Sequence, residues 1–268
     1  METTREVWWG NYTMEVGASA QWEFPRLHIG VQRLAHEWVI AYETTESEND
    51  EGPWSFSYGS VDLDQSQYSH IARYVFQTTD EQLTVLPLPA DRAVVSRPYM
   101  QFTVPAGEET TIFVGTPLWF ALAGVPGRHV FDIPIRRPSD TWFGPSTREG
   151  ELAYASRTYG RLNLENITVS PYVAITQVHI HNSSSTPLLI ERLNLPVPFL
   201  SLFQTEEGNL FTEGVTFEQT EGTSLTKFHI EEAHWALEEG AKLIALPRQN
   251  PHKRMLIRAF GALKQQGF

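Results

Sequence analysis

Residues 135–162, IRRPSDTWFGPSTREGELAYASRTYGRL, set Arg136, Arg137, Arg148, Arg157 and Arg161 around an Asp-Thr-Trp-Phe run that contains Asp140 and Trp142. Guanidinium forks bind carboxylate or phosphate bidentately and stack on aromatic faces, so this pattern suits an anionic ligand or an acidic partner. In a chain of net charge −12 the same arginines also suit a structural role, pairing with acids from both halves of the protein. Arg136, Arg137, Asp140, Trp142 and Arg157 are the candidate binding residues.

His179 and His181 form a His-x-His pair. On a strand, residues two apart face the same side, so both imidazoles could ligate one divalent transition metal, as in half of a cupin-like motif. The other half is missing: Asn-Ser-Ser-Ser-Thr follows, with no carboxylate, and no third ligand is placed, Glu191 across the following hairpin being one candidate. The competing reading has Val178 and Ile180 in the core and the histidines in solvent. No cofactor is expected; a metal at His179 and His181 is the alternative. The acidic pairs Asp62/Asp64, Glu149/Glu151 and Glu231/Glu232 read as solvated surface, because carboxylates do acid–base work only at a set separation.

Other chemistries find no support. With no cysteine there is no disulfide, thiolate metal site or cysteine nucleophile. Phosphate-loop, dinucleotide, nucleophile-elbow and zincin signatures are absent. The negative charge argues against nucleic acid. The start, METTREVWWGNYTMEV, lacks a basic segment followed by an apolar one, so no secretory signal is expected. No apolar run approaches the ~20 residues of a membrane-spanning helix. The expectation is a cytoplasmic acidic protein.

The elements that must position these residues are strands. RLHIGVQRL, PWSFSYGS, YVAITQVHIH and NLFTEGVTFEQ alternate with period two, and Gly, Pro, Asn and Ser clusters punctuate them. Short, regularly spaced strands predict an all-β protein of antiparallel β-sandwich architecture. Two sandwich-like halves are expected, residues 1–133 and 151–268, joined by the arginine- and aromatic-rich connector at 134–150. Helices are scarce: 65–76 and HIEEAHWALEEGAKL are mild candidates. PHKRMLIRAFGALK (251–264) predicts a short C-terminal α-helix, with Pro251 in its first turn and Leu256, Phe260 and Leu263 on one face. Lys242, Arg248, Lys253, Arg254, Arg258 and Lys264 make residues 241–268 basic, with no acid among them. That segment docks on the chain's own acidic body, enters a partner groove, or touches an anionic membrane peripherally.

Most tryptophans sit on alternating or apolar runs that fill cores; Trp8, Trp9 and Trp142 are the ones to inspect for exposure. IPIRRPSDTWFG and GELAYASRT, then IHNSSSTPLLIERLNLPVPFLSLF, with PAGEETTIFVGTPLWFAL upstream, resemble a family known as a domain of unknown function in archaea and bacteria. The resemblance covers about residues 95 to 260 and implies no activity and no catalytic residue. The function expected is a non-enzymatic binding or regulatory module acting through protein contacts. A metal-dependent cupin-like enzyme using His179 and His181 is the alternative, and a carbohydrate-binding module is a third reading.

Overall fold

The computed structural model describes residues 7–45, 52–59, 63–124, 128–146, 148–167, 169–222, 225–231, 240–250 and 255–261. Within them the alternating pattern becomes strands, and the helical turns at Gln65–Gln67, Leu164–Asn166 and Val197–Phe199 are single 3-10 turns. The chain forms two compact units, Met1–Pro87 with Trp119–Arg136, and Leu88–Leu118 with Arg137–Phe268. The first unit takes β1 (Gly10–Thr13), β2 (Ser19–Glu23), β3 (Leu27–Arg33), β4 (Glu37–Thr44), β5 (Ser55–Gly59), β6 (His70–Val75) and β7 (Gln82–Leu88). The chain then supplies β8 (Val94–Pro98), β9 (Phe102–Val104) and β10 (Glu109–Pro117) to the second unit. It returns to the first for β11 (Trp119–Gly124) and β12 (Arg128–Pro134). The second unit ends with β13 (Ser139–Phe143), β14 (Glu151–Gly160), β15 (Val173–Asn182), β16 (Leu188–Ile190), β17 (Arg192–Leu195), β18 (Leu202–Gln204) and β19 (Leu210–Thr212). After these come β20 (Val215–Gln219), β21 (Thr226–Ile230), β22 (Lys242–Ala245), β23 (Met255–Ile257) and β24 (Phe260–Gly261).

The first unit holds an antiparallel sheet ordered β5-β2-β3-β4-β6 and a four-stranded sheet ordered β1-β7-β11-β12. In β2 the alternation buries Ala20 and Trp22 and turns Glu23 outward. Rings from both sheets then meet: Trp22 lies 5.1 Å from Tyr12 of β1 and 5.2 Å from Phe120 of β11. Such edge-on pairs add about 0.5–1.5 kcal/mol each to the burial of the rings themselves. Their polar atoms are satisfied, since Trp22 Nε1 donates to Tyr12 Oη (3.3 Å), which donates to the Trp8 carbonyl (2.8 Å).

The larger sheet of the second unit runs β22-β18-β19-β15-β20-β21-β23, with β10 also paired to β15. Strand β15 is antiparallel to β10 and parallel to β19 and β20, so not every pairing is antiparallel. A five-stranded sheet is ordered β13-β14-β8-β17-β24, and β16 pairs with β9. Phe217 of β20 and Phe260 of β24 meet edge to face at 5.9 Å, joining the two larger sheets.

The expected C-terminal helix over 251–264 is not formed. Met255–Ile257 is β23, antiparallel to β21, and Phe260–Gly261 is β24, antiparallel to β17; 251–254 and 262–264 lie outside the described residues. A helix would have put Leu256 and Phe260 on one buried face. Instead Leu256 is 65% exposed while Phe260 packs on Phe217. Open edges of β21 and β17 offer backbone pairing that outweighs the weak helical propensity of so short a stripe. Residues 65–76 likewise form a 3-10 turn and then strand β6. Of HIEEAHWALEEGAKL, residues 232–239 lie outside the described residues. No helix among the described residues is long and apolar enough to cross a membrane.

Candidate functional site

The arginine-rich stretch becomes the β13–β14 hairpin. Antiparallel register sets Asp140 opposite Tyr154, Trp142 opposite Leu152 and Phe143 opposite Glu151. Alternation therefore puts Asp140, Trp142, Leu152 and Tyr154 on one face and Phe143, Glu151 and Ala153 on the other. Phe143 and Ala153 pack with Val95 of β8 in a small core. Trp142 is 42% exposed and closes the turn, its Nε1 donating to the Ser146 carbonyl at 2.9 Å. Ser146 Oγ accepts from the amides of Arg148 (3.3 Å) and Glu149 (3.2 Å). The turn is so tight that a Cβ at Gly150 would stand 2.5 Å from Trp142 Nε1, and one at Gly144 2.2 Å from the Glu149 carbonyl oxygen.

Asp140 is exposed and already carries one ion pair. Its Oδ1 accepts from Arg92 Nη1 at 3.1 Å, and the Arg92 guanidinium lies 5.2 Å from the centre of the Tyr154 ring. Tyr154 Oη donates to Asp91 Oδ1 at 2.9 Å. Burial, and then that hydrogen bond to a carboxylate, pushes the Tyr154 phenol up to about 12.

Beside this cluster lies a cleft of about 580 Å³. Its walls are Asp91–Ala93, the Glu149–Leu152 end of the hairpin, and Leu256–Arg258; Asn194, Pro196 and Pro198 line it as well. Asn194 is 1% exposed on β17, between the buried Leu193 and Leu195. Its Nδ2 donates to a Glu151 carboxylate oxygen and to the Arg258 carbonyl at 3.3 Å. Its Oδ1 is buried and has no hydrogen-bond partner among the described residues. A buried polar atom left unmatched is uncommon and costly, which singles out Asn194 among the residues that line the cleft.

Of the expected binding residues, the structure brings Asp140 and Trp142 together on β13, on the hairpin whose far end forms a wall of the cleft. Arg136 falls in the first unit and Arg137 in the second; Arg137 is exposed. Arg157 lies on β14, and its side chain is outside the described residues. His179 and His181 sit half-buried on β15 beside buried Val178 and Ile180. His179 is engaged by Thr111 Oγ1, 2.8 Å from Nδ1, and by Glu231 Oε1, 3.4 Å from Nε2. Thr216 Oγ1 donates to the same Glu231 oxygen at 3.0 Å, a cross-strand polar network. No three His, Asp or Glu side chains among the described residues converge as a metal requires. Trp8 and Trp9 are buried, which leaves Trp142 as the exposed member of the three.

Sequence reasoning passed over Asn194, Asp91 and Arg92 and put Arg258 in a helix; Glu151, read as solvated surface, is exposed. One signal was available: in the strand RLNL a lone amide sits where every neighbour on the apolar run is buried. No curated protein and no solved structure matches the chain. A family model described as a protein of unknown function, DUF432, matches residues 8–264, in agreement with the resemblance carried by IPIRRPSDTWFG and LNLPVPFLSLF. The chain belongs to that family.

Proposed function

We propose that this protein is a binding module acting through protein contacts and that the cleft between Asp91–Ala93, Glu149–Leu152 and Leu256–Arg258 receives the partner. The observation that carries the reading is Asn194: a fully buried amide in the lining of a 580 Å³ cleft, held rigidly by two bonds through nitrogen and unmatched at oxygen. Leu152, Leu225 and Leu256 add exposed apolar surface around it. A polar centre ringed by apolar side chains is how protein interfaces combine affinity with register. The Arg92–Asp140 and Tyr154–Asp91 contacts hold one wall, and the Trp142 turn holds another, so the cleft is preorganised and loses little entropy on binding.

The test is site-specific photo-cross-linking in cells that make the full chain. A photoreactive residue at Leu152, in the cleft, is compared with one at Leu246, which is exposed elsewhere. The expected result is one dominant adduct from position 152, absent from 246 and abolished by Leu225→Asp. Equal labelling from both positions, or an adduct indifferent to Leu225→Asp, overturns the reading.

A further inference from the structure

We infer that the group this cleft accepts is a cation, the ammonium or guanidinium of a Lys or Arg side chain on the partner, held by Glu149, Glu151 and the Asn194 amide oxygen. The inference rests on the cleft being the binding site. The orientation of the Asn194 amide is fixed, because both of its nitrogen's partners, the Glu151 carboxylate and the Arg258 carbonyl, can only accept. The unmatched atom is therefore an acceptor, and only a donor satisfies it.

Charge points the same way. Asp91, Glu149 and Glu151 line the cleft, against Arg92 and Arg258. Arg92 is already engaged by Asp140 and the Tyr154 ring, and Arg258 also borders a neighbouring cleft of about 560 Å³. The lining thus carries surplus negative charge in a chain that is itself at −12. An anionic ligand would meet repulsion at long range and no donor at Asn194 Oδ1. A cation would be drawn in by the first and bonded by the second. The surrounding Leu152, Leu225 and Leu256 suit the aliphatic stem of Lys or Arg, which lies along apolar surface while its head is held.

The test titrates the full chain with three capped tripeptides, N-acetyl-Leu-Lys-Leu-amide and its norleucine and glutamate counterparts, by calorimetry and by NMR of the Asn194 side-chain amide. The lysine peptide is expected to bind about tenfold or more tighter than the norleucine peptide, with the glutamate peptide weakest. That lead disappears in the Glu149→Gln/Glu151→Gln variant and shrinks with added salt. Should the double variant fail to fold, Glu149→Gln alone, on the exposed turn, must still reduce the lead. A norleucine peptide that matches lysine overturns the cation while leaving the cleft as a binding site. A glutamate peptide that binds best overturns it in favour of Arg258. No binding by any of the three also overturns it, and the cross-linking at Leu152 then decides the cleft independently.

Discussion

Asn194 and Glu151 lie on strands that do not pair with each other, yet the Asn194 amide donates directly to the Glu151 carboxylate. The same nitrogen reaches the Arg258 carbonyl, so one buried side chain ties β17 to the start of β14 and to the segment between β23 and β24. Asn194→Ala removes both bonds and leaves two acceptors without their donor. The expected loss is about 2–3 kcal/mol in urea unfolding of the second unit. Glu151→Gln keeps an acceptor in place and costs about 1 kcal/mol or less. Asn194→Asp is the most damaging of the three, because it sets a second carboxylate against Glu151. Equal stability of all three variants would show that the amide is not a tie.

Gly150 and Gly124 offer a controlled comparison of two glycines. At Gly150 a methyl group would strike Trp142 Nε1 at 2.5 Å and the Phe143 carbonyl oxygen at 2.7 Å, with backbone on one side unable to yield. At Gly124 the nearest atom is Val130 Cγ2 at 4.0 Å, ordinary contact. Gly150→Ala is expected to cost about 1–3 kcal/mol and to free the Trp142 indole N–H from Ser146, seen as faster hydrogen exchange at that proton. Gly124→Ala is expected to stay within about 0.5 kcal/mol of the parent. The reverse order would place the strain of this region elsewhere.

What the sequence could announce was local. Alternation in RLHIGVQRL and YVAITQVHIH announced both strands, because a strand's side-chain period is set by its own backbone. Pairing partners are not local. Strand β8 joins β14 and β17, some sixty and a hundred residues further along, and nothing in VVSRP encodes which edges it will meet. The same gap explains the missing helix: LIRAF has helical spacing alone and strand pairing only once β21 and β17 stand beside it. The arginine-rich stretch drew attention to the β13–β14 hairpin, but the use of each guanidinium depends on neighbours from other strands. Asp140, for instance, pairs with Arg92, which comes from the segment before β8. Asn194 was legible in principle, as a polar residue on an apolar run.

Tyr154 gives a pH-dependent prediction with a definite sign. Its phenol is raised from 10 to about 12 by burial and by its hydrogen bond to Asp91, so the folded protein holds this proton more tightly than the unfolded chain. The stability this contributes is complete below pH 10 and is lost as pH rises from 10 through about 12. Tyr68 and Tyr74 are also raised, chiefly by burial, so alkaline destabilisation is expected of the parent from more than one group. Tyr154→Phe should therefore flatten the slope of unfolding free energy against pH in that window by about one proton without abolishing it. An unchanged slope would mean that Tyr154 ionises no harder folded than unfolded.

Arg33 makes the sharpest test of the first unit, because it is a guanidinium only 7% exposed whose partners are carbonyls and a hydroxyl. Nη1 donates to the Met14 carbonyl at 2.7 Å, Nη2 to the Thr79 carbonyl at 2.7 Å, and Nε to Thr79 Oγ1 at 3.1 Å. Thr79 Oγ1 in turn donates to the Leu34 carbonyl at 2.7 Å, so the pair fastens the segment after β6 to the end of β3. Arg33→Met keeps the apolar stem but strands two buried carbonyls, an expected cost of about 3 kcal/mol. Thr79→Val loses the hydroxyl alone and should cost about 1–2 kcal/mol. Since both changes delete the Nε–Oγ1 bond, the double variant is expected to be at least about 0.5 kcal/mol more stable than the two losses added together. Strict additivity in chemical unfolding would mean that the two side chains act separately, and that the segment is held by something other than this guanidinium.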